Sequence, residues 1–599
     1  MQHNTKLYLF LALSIAPISQ LTLADQNDEY LPSQITQQQR ILTKNHSLQQ
    51  DLAWGFDTNL SSLTHDDYRD ETKDQPCFII NQIRLYTSSD IPSSLFASVL
   101  TPLTNPSADN YALGKCIGSY NLQKIVRIAQ NQLIKLGYLT SHIEVGEQDL
   151  NTGTLVLTIK PGKVDRIIFT NLDKYTPPLF IRQALPLDTD DVFLLNKLEQ
   201  GLETLKKIDS TTDIQIRPAR NTQRVGFSDL LIKMNQTRQF AGSFTVDDTL
   251  SKRYGTYLAQ LDLSATNVMR FNDDWQFGIS YPLHRGIDLI QQTPKTQLGK
   301  DYQLNYQIGL TIPVGFYKLT ANHQKSHYEH YLPSFQNPLT YHGDTTTSTL
   351  GISRVLHRGN HHKTDGYLKA YHQYSDHYID DIAIEVQSRK TAGYHLGIGH
   401  QRYLPNQGFI YANIDYRHGT AMLGAKPAPE EQVYDAFGRK LPAEGYARSP
   451  IWSWYIDYQQ PFVIRHQNLV YQAKIQGQYA KRLPVSSELF YLGGRYRTKG
   501  IKEGNHLAGE HGSTLQQTLS WQLPYQSDIT KTQLYTSLDQ GWVRGAYTHP
   551  NQRYIITGAI GIKQQYHNLH LDAFIGKGIK TPDFIDKSTV IGMSASMGF

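Results

Sequence analysis

The sequence predicts a multidomain chain in which two small α/β units are followed by a transmembrane antiparallel β-barrel. Three observations carry that fold class. From residue 237 to 599, strand-like stretches follow one another without intervening helices. Each has one apolar face and one amide-bearing or charged face: Tyr302, Leu304, Tyr306, Ile308, Leu310, Ile312 and Val314 alternate with Gln303, Asn305, Gln307, Gly309 and Thr311. Upstream, over residues 76–236, helical and strand patterns alternate instead, twice over.

A period of two with one apolar and one wet face suits strands that separate lipid from a hydrated lumen. The same alternation sets Tyr257, Ala259, Leu261 and Leu263 against Leu258, Gln260, Asp262 and Ser264. It recurs where Leu469, Tyr471, Ala473 and Ile475 alternate with Val470, Gln472, Lys474 and Gln476. The 38 tyrosines suit aromatic girdles at both membrane interfaces. A soluble sandwich would have to bury the apolar face in a core, and roughly 360 residues is large for one sandwich. In lipid the stretch would supply roughly 12 to 18 strands, at about 10 residues each plus connections. At the end of the chain, Ile591, Met593, Ala595, Met597 and Phe599 alternate up to the last residue. A final strand ending on an aromatic is what barrel closure against the first strand asks for.

Composition sets the outer bounds. The chain has 599 residues, of which 19% are charged, and its mean hydropathy is −0.46, which excludes a helical membrane protein. The formal net charge of +5 is spread without a basic run, so nucleic acid is not an expected partner. Residues 1–24 read as a secretory signal peptide, with Lys6 as the positive flank, Leu7 to Ile18 as the apolar core and Thr22-Leu23-Ala24 as the cleavage site. Nothing later reaches the roughly 20 apolar residues of a spanning helix. In an exported chain Cys77 and Cys116 meet an oxidising compartment, where a disulfide is the default pairing. Two thiols without paired histidines fill no tetrahedral metal site.

Taken in order, residues 25–54 contain a Gln-rich helical candidate starting near Pro32 and Ser33. Its apolar positions, Ile35, Ile41, Leu42, Leu48 and Leu52, are too sparse for burial in a core, so it belongs to a solvated tail or to a water-filled cavity. Residues 55–75 are rich in Asp, Ser and Thr and read as a linker. Residues 76–163 form the first α/β unit: a strand with Phe78, Ile80 and Ile83, a helix over 91–103, and a second helix capped by Asn121 and stopped by Gly137. A strand beginning at Ile143 and Val145 follows, then one with Leu155, Leu157 and Ile159 that ends at Pro161-Gly162. Residues 164–236 repeat the plan around a helix from Leu194 to Ile208. Inside the strand-rich region one stretch stands apart, from Gly493 to Gly504. It sets Gly493, Gly494, Gly500 and Gly504 among Arg495, Arg497, Lys499 and Lys502, with Tyr496 as its one aromatic. Glycines permit tight backbone paths, and cations at this density need carboxylates or water. It reads as a loop folded against something.

In order and spacing these residues resemble the two-partner secretion transporters (the TpsB family), relatives of the outer-membrane barrel insertases. The most specific part is Cys77-Phe78-Ile79-Ile80 followed by Gly114-Lys115-Cys116-Ile117-Gly118, then Gly137-Tyr138-Leu139-Thr140, Gln148-Asp149-Leu150, Gly153-Thr154-Leu155 and Pro161-Gly162. These resemble the family's POTRA (polypeptide-transport-associated) domain. Gly201-Leu202 and Gly226-Phe227-Ser228-Asp229-Leu230 resemble its second one. The resemblance implies two periplasmic POTRA domains, a barrel of about 16 strands at 237–599, and a polar helix from residues 25–54 that occupies the lumen at rest. It also implies that a loop enters the barrel with a Val-Arg-Gly-aromatic tip, matched here by Thr498-Lys499-Gly500-Ile501, so that Lys499 replaces Arg and Ile501 replaces the aromatic. The partner of that tip in the family is an Asp-x-Gly motif on the wall, matched by Asp539-Gln540-Gly541. Lys499 keeps the charge opposite Asp539 but lacks the bidentate fork of Arg, and Arg495 or Arg497 could take over the pairing.

The function implied is export of a large, unfolded TpsA-type protein across the outer membrane of a Gram-negative bacterium. No cofactor is implied. The other partners implied are outer-membrane lipids and the barrel assembly machinery during biogenesis, and the expected state is a monomer. No phosphate loop, His-Glu-x-x-His or nucleophile elbow is present, and no enzyme activity is expected. His357-Arg358-Gly359-Asn360-His361-His362 reads as a hairpin turn rather than a metal site. A barrel insertase is the alternative reading, although the main insertases carry more POTRA domains and no plug helix. A passive porin or surface adhesin would leave both α/β units and the polar helix without a role.

Overall fold

A computed structural model describes residues 74–599, apart from 88–89, 171–181, 208–210, 220–225, 235–238, 251–256, 284–300, 333–338, 360, 386, 432–433, 435–436, 440–441, 525–526, 528 and 546–551. The expected signal peptide, the helix within 25–54 and all but the last two residues of the linker lie outside the described residues.

The first α/β unit pairs β1 (Phe78–Ile80) with β3 (Lys115–Ile117) and sets β5 (Thr154–Lys160) between β2 (Gln82–Tyr86) and β4 (His142–Glu144). Helix α1 (Ser119–Lys135) presses Ile125, Ala129 and Leu133 onto Ile80, Ile83, Leu155, Leu157 and Ile159, all buried. Cys77 and Cys116 are disulfide-bonded with their Cα atoms 5.3 Å apart, which ties the segment entering β1 to β3. The cap of α1 is not Asn121, which lies buried inside the first turn. Asp74 does that work from 44 residues upstream, accepting from the amides of Gly118, Tyr120 and Asn121 at 2.9–3.0 Å. A carboxylate there satisfies orphan donors and faces the positive end of the helix dipole. The helix expected over 91–103 is instead a 3-10 helix, Ser93–Leu100, followed by one α-turn, Thr101–Thr104. Pro102 has no N–H to donate, so a continuous α-helix would lose a bond there.

The second unit places β8 (Phe227–Lys233) between β6 (Lys163–Thr170) and β7 (Asp213–Pro218). Helix α2 (Leu195–Lys206) packs Leu198, Leu202 and Leu205 against Val164, Phe193, Leu230 and Ile232. Arg166 grips Asp229 across the parallel pair with Nε at 3.2 Å and Nη2 at 2.6 Å.

Sixteen antiparallel strands then close into a barrel. They are β9 (Gln239–Asp247), β10 (Leu258–Thr266), β11 (Asp274–Pro282), β12 (Tyr302–Val314), β13 (Tyr317–Leu332), β14 (Leu339–Gly359), β15 (His362–Ile379), β16 (Arg389–Leu404), β17 (Gly408–Thr420), β18 (Ile451–Ile464) and β19 (Gln467–Ala480). A short inner hairpin, β20 (Phe490–Gly493) with β21 (His506–Gly509), intervenes before β22 (His511–Gln522), β23 (Thr530–Arg544), β24 (Tyr554–Tyr566), β25 (Leu569–Lys580) and β26 (Val590–Gly598). Each barrel strand pairs with its neighbour in sequence, and β26 returns to β9. The alternation works as expected. Ile308, Leu350, Leu396, Ile398, Ile414 and Ile560 are exposed on the outer face, while Gln307, Gln324, Thr347 and Gln373 stand in register on the lumen face of β12 to β15. Phe599 extends the closing seam, exchanging backbone hydrogen bonds of 2.9 Å with Gly242.

Helix α2 is fixed to one end of the barrel. Arg358, at the end of β14, reaches Glu203, Gln200 (3.0 Å) and Glu199 (3.5 Å), and Lys363 at the start of β15 meets Glu203 at 2.7 Å. The His357–His362 turn is therefore a docking element, not merely a solvated hairpin. The β12–β13 turn adds a bond from the Gly315 amide to the Gln183 carbonyl at 2.7 Å. Burial raises the Glu203 carboxyl, but Lys363 and Arg358 outweigh it and hold the group well below the usual carboxylate range. A depressed carboxylate contributes its docking energy above its free value of about 4.3 and loses it as pH falls through the bound value. We expect Glu203→Gln to weaken docking at neutral pH by about 2 kcal/mol, read as faster amide hydrogen exchange across Leu195–Lys206. Wild type should begin to lose this docking energy only as pH falls below about 4.3, and should match the variant only once pH has dropped well below the usual carboxylate range.

Candidate functional site

The connection from β19 to β22 folds into the lumen instead of standing clear of it. Its inner hairpin pairs Phe490 with Gly509 and Gly493 with His506. Phe490, Leu492 and Leu507 form a small apolar core with Ile501 from the loop, Val543 and Ile555 from the wall, and Ile585 from the β25–β26 connection. The sequence between the two short strands closes as a series of turns. The Thr498 amide donates to the Gly494 carbonyl at 2.8 Å, and the Ile501 amide to the Thr498 carbonyl at 3.1 Å. The Arg495 amide donates to Glu503 Oε1 at 2.7 Å.

The tip lies hard against the wall. A Cβ on Gly500 would stand 2.5 Å from the backbone C and O of Lys577 and 2.8 Å from Thr557 Cβ, so only glycine fits there. On the facing wall, a Cβ on Gly541 would overlap Leu492. Thr498 and Ile501 are almost fully buried. Ile501 fills an apolar pocket formed with Phe490, Leu492, Leu507, Val543, Ile555 and Ile585.

Asp539 and Lys499 do come together, but through a different donor from the one expected. Asp539, itself 1% exposed, accepts from the Lys499 backbone amide through Oδ2 at 2.9 Å. The Lys499 ammonium lies 4.9 Å above the Tyr535 ring and forms no ion pair with Asp539 within 4.0 Å. The close approach at Gly500 explains this. With the backbone already against the wall, the amide reaches the carboxylate and the four-carbon stem carries the ammonium past it.

The ion pairs that join the loop to the closing seam belong to Arg495. Its Nη1 is 2.6 Å from Asp248 Oδ1 and 2.8 Å from the Met593 carbonyl, while Nη2 is 3.4 Å from Asp572 Oδ2 and 3.5 Å from Ser594 Oγ. The guanidinium also lies 5.1 Å over the Phe574 ring. Asp248 directly follows β9, whereas Met593 and Ser594 lie on β26, so one side chain touches both strands of the closing seam. Only a planar group with several donors serves two carboxylates and a carbonyl at once. Arg497 does not pair with Asp539 either; it stacks 4.3 Å over Phe490. The Tyr496 carbonyl accepts from Gln516 Nε2 at 2.9 Å. At the rim, Lys502 Nζ meets Asp586 at 2.7 Å. The Lys502 hydrogen bond, with two from Ser588, draws that carboxyl down to about 2.

Sequence reasoning found the loop, Asp539 and Gly541, but missed Asp248, Asp572, Tyr535 and Gln516. Asp572 did carry a signal. It falls on the lumen face of a strand whose Leu569, Leu571, Ala573 and Ile575 face lipid, and a lumen carboxylate beside apolar neighbours asks for a cation. Among the described residues no group of three or more His, Cys, Asp or Glu is arranged to hold a metal.

The family model described as haemolysin secretion/activation protein ShlB/FhaC/HecB matches residues 226–564, and that described as POTRA domain, ShlB-type, matches residues 78–162. The outer membrane transporter CdiB of Dickeya dadantii (strain 3937) is 24% identical over 524 residues, covering 86% of this chain and 85% of the relative. The hemolysin transporter protein HpmB of Proteus mirabilis is 24% identical over 507 residues, covering 83% and 81%. The solved structure of CdiB from Acinetobacter baumannii superposes with a TM-score of 0.80 at 31% identity, over 96% of this chain and 99% of that one.

Arg495→Ala leaves Asp248 and Asp572 without their cation, and on the order of 3–5 kcal/mol is expected to be lost from the closed barrel. The reading is a lower temperature of conversion from the compact to the unfolded form in heat-modifiability electrophoresis, with partial recovery in Arg495→Lys. Gly500→Ala should lower the same temperature through the clash with Lys577, while a substitution at exposed Leu350 should not.

Proposed function

The chain belongs to the haemolysin secretion/activation protein family, ShlB/FhaC/HecB, and on that premise we propose how its parts act in secretion. The protein is an outer-membrane transporter of the two-partner secretion type, with its POTRA domains in the periplasm. It exports a large TpsA-type protein; a general barrel insertase is the less supported reading. The observation that carries this function is a closed 16-strand barrel with a loop folded into its polar lumen, in a chain that the family's model matches over residues 226–564.

In our reading the POTRA domains receive the unfolded exoprotein as an extended segment laid on a sheet edge or groove. It then passes through the lumen once the plug has left. Residues 25–54 are the segment we assign to that plug; their polarity suits a hydrated pore. In this reading folding outside the cell supplies the drive, since the sequence carries no phosphate-binding loop motif. Asp539 and Gly541 hold the loop through the Lys499–Gly500 backbone, and Arg495 holds it to the seam. The chain works as a monomer among outer-membrane lipids, after insertion by the barrel assembly machinery.

Because Asp539 grips an amide, the two halves of the pair should respond differently. Asp539→Ala is expected to reduce secretion severalfold with the barrel still inserted, whereas Lys499→Ala, which keeps the amide, should secrete close to wild-type amounts. Equal loss in both variants would restore the side-chain ion pair; wild-type secretion from Asp539→Ala would remove the role given to the carboxylate. Deleting residues 33–54 should raise conductance in planar bilayers, and unchanged conductance would count against the plug. Depletion of the protein should abolish one exoprotein and leave other barrels in place.

A further inference from the structure

The outer face of the barrel carries a basic patch that the secretion site does not use. Toward the periplasmic end of β16 the lipid-facing positions run Leu396, Ile398, His400, Arg402, so that apolar gives way to basic in one step. On β15, Thr364 lies opposite His400 and His362 opposite Arg402. β14 adds His357, in register with Thr364. The four side chains therefore share one face across three adjacent strands.

They are packed together. His357 Nδ1 and His362 Nε2 are 3.1 Å apart with their rings stacked at 5.0 Å, and the His400 ring lies 5.9 Å from that of His362. His400 Nδ1 is held by the Thr364 hydroxyl at 2.9 Å, which leaves Nε2 available. Arg402 is exposed and makes no hydrogen bond or ion pair among the described residues. The groups acting electrostatically on His362 are His357, His400, Arg402 and His361, all of one sign when charged. Arg402, a permanent cation beside three imidazole rings at the edge of an apolar surface and with no carboxylate paired to it among the described residues, is complete only with an external anion.

Position limits which anion that is. The rows of Leu396 and Ile398 face acyl chains, and the adjacent Arg358 meets the periplasmic helix α2. Between them lies the headgroup layer of the inner leaflet. We propose that His357, His362, His400 and Arg402 form a binding site for the phosphate of an inner-leaflet phospholipid, fixing the depth of this sector of the barrel beside the POTRA contact. The proposal rests on the membrane orientation given under Proposed function. The Arg402 fork and the imidazole N–H groups supply the donors that a phosphate takes.

Native mass spectrometry of the purified full-length protein, titrated with dioleoylphosphatidylglycerol, tests this without relying on secretion. His400→Ala combined with Arg402→Ala should weaken lipid retention roughly tenfold, while Lys325→Ala, at the opposite end of the same sheet, should not change it. Compact migration in heat-modifiability electrophoresis shows that each variant is folded. If the double variant does not fold, Arg402→Gln alone should weaken retention about threefold. Inorganic phosphate at the lipid concentration should displace little of the bound lipid. Wild-type retention in the double variant, or in Arg402→Gln where that alone folds, would overturn the proposal. So would an equal loss in Lys325→Ala, or full displacement by inorganic phosphate.

Discussion

Lipid offers no hydrogen-bond partner to the edge of a sheet, so a chain that crosses it in strands has to close the sheet on itself. Here closure depends on β26 meeting β9, with five register pairs, against sixteen between β13 and β14. Among the described residues no other two neighbouring strands of the sixteen share so short a ladder. Arg495 sits on that weak seam and binds Asp248 on one side and the Met593 carbonyl on the other. The inward loop and the closure of the barrel are thus one structure. Whatever moves the loop also removes the guanidinium that neutralises two lumen carboxylates.

The same constraint directs where transport can occur. An outer face that must be apolar leaves the inner face free to be polar, and Gln307, Gln324, Thr347 and Gln373 line it. The loop occupies this wet interior through discrete attachments: one amide on Asp539, the Tyr496 carbonyl on Gln516, one guanidinium at the seam, one ammonium at the rim, and Ile501 in the apolar core with Val543 and Ile555. Helix α2, anchored by Glu203 to the opposite end, keeps the periplasmic domains beside the mouth through which an exoprotein would enter.

Much of this was legible in the sequence because the period of two survives strand by strand, whatever the connections do. The strand number was not fixed by that pattern. Turns as tight as Gly315 and Phe316 and connections as long as 421–450 interrupt the same alternation. The candidate loop was legible by its glycines and by Asp539 and Gly541. Which atom of Lys499 meets Asp539 was not, because that depends on how closely the backbone passes the wall at Gly500. The partners of Arg495 lie 247 and 77 residues away, and only the closed barrel brings them together. The cap of α1 was misplaced for the same reason: Asp74 acts from outside the local pattern in which Asn121 looked suitable.

The central claim is that the exoprotein travels through the lumen of this barrel. Site-specific photocrosslinking during secretion tests it directly, with the crosslinker placed at lumen-facing Gln307, Gln324 or Thr347 and, in parallel, at lipid-facing Ile308 or Leu350. Adducts to the exoprotein from the three lumen positions, and none from the two outer ones, are the expected result. Adducts confined to the outer positions, with secretion intact, would contradict the account.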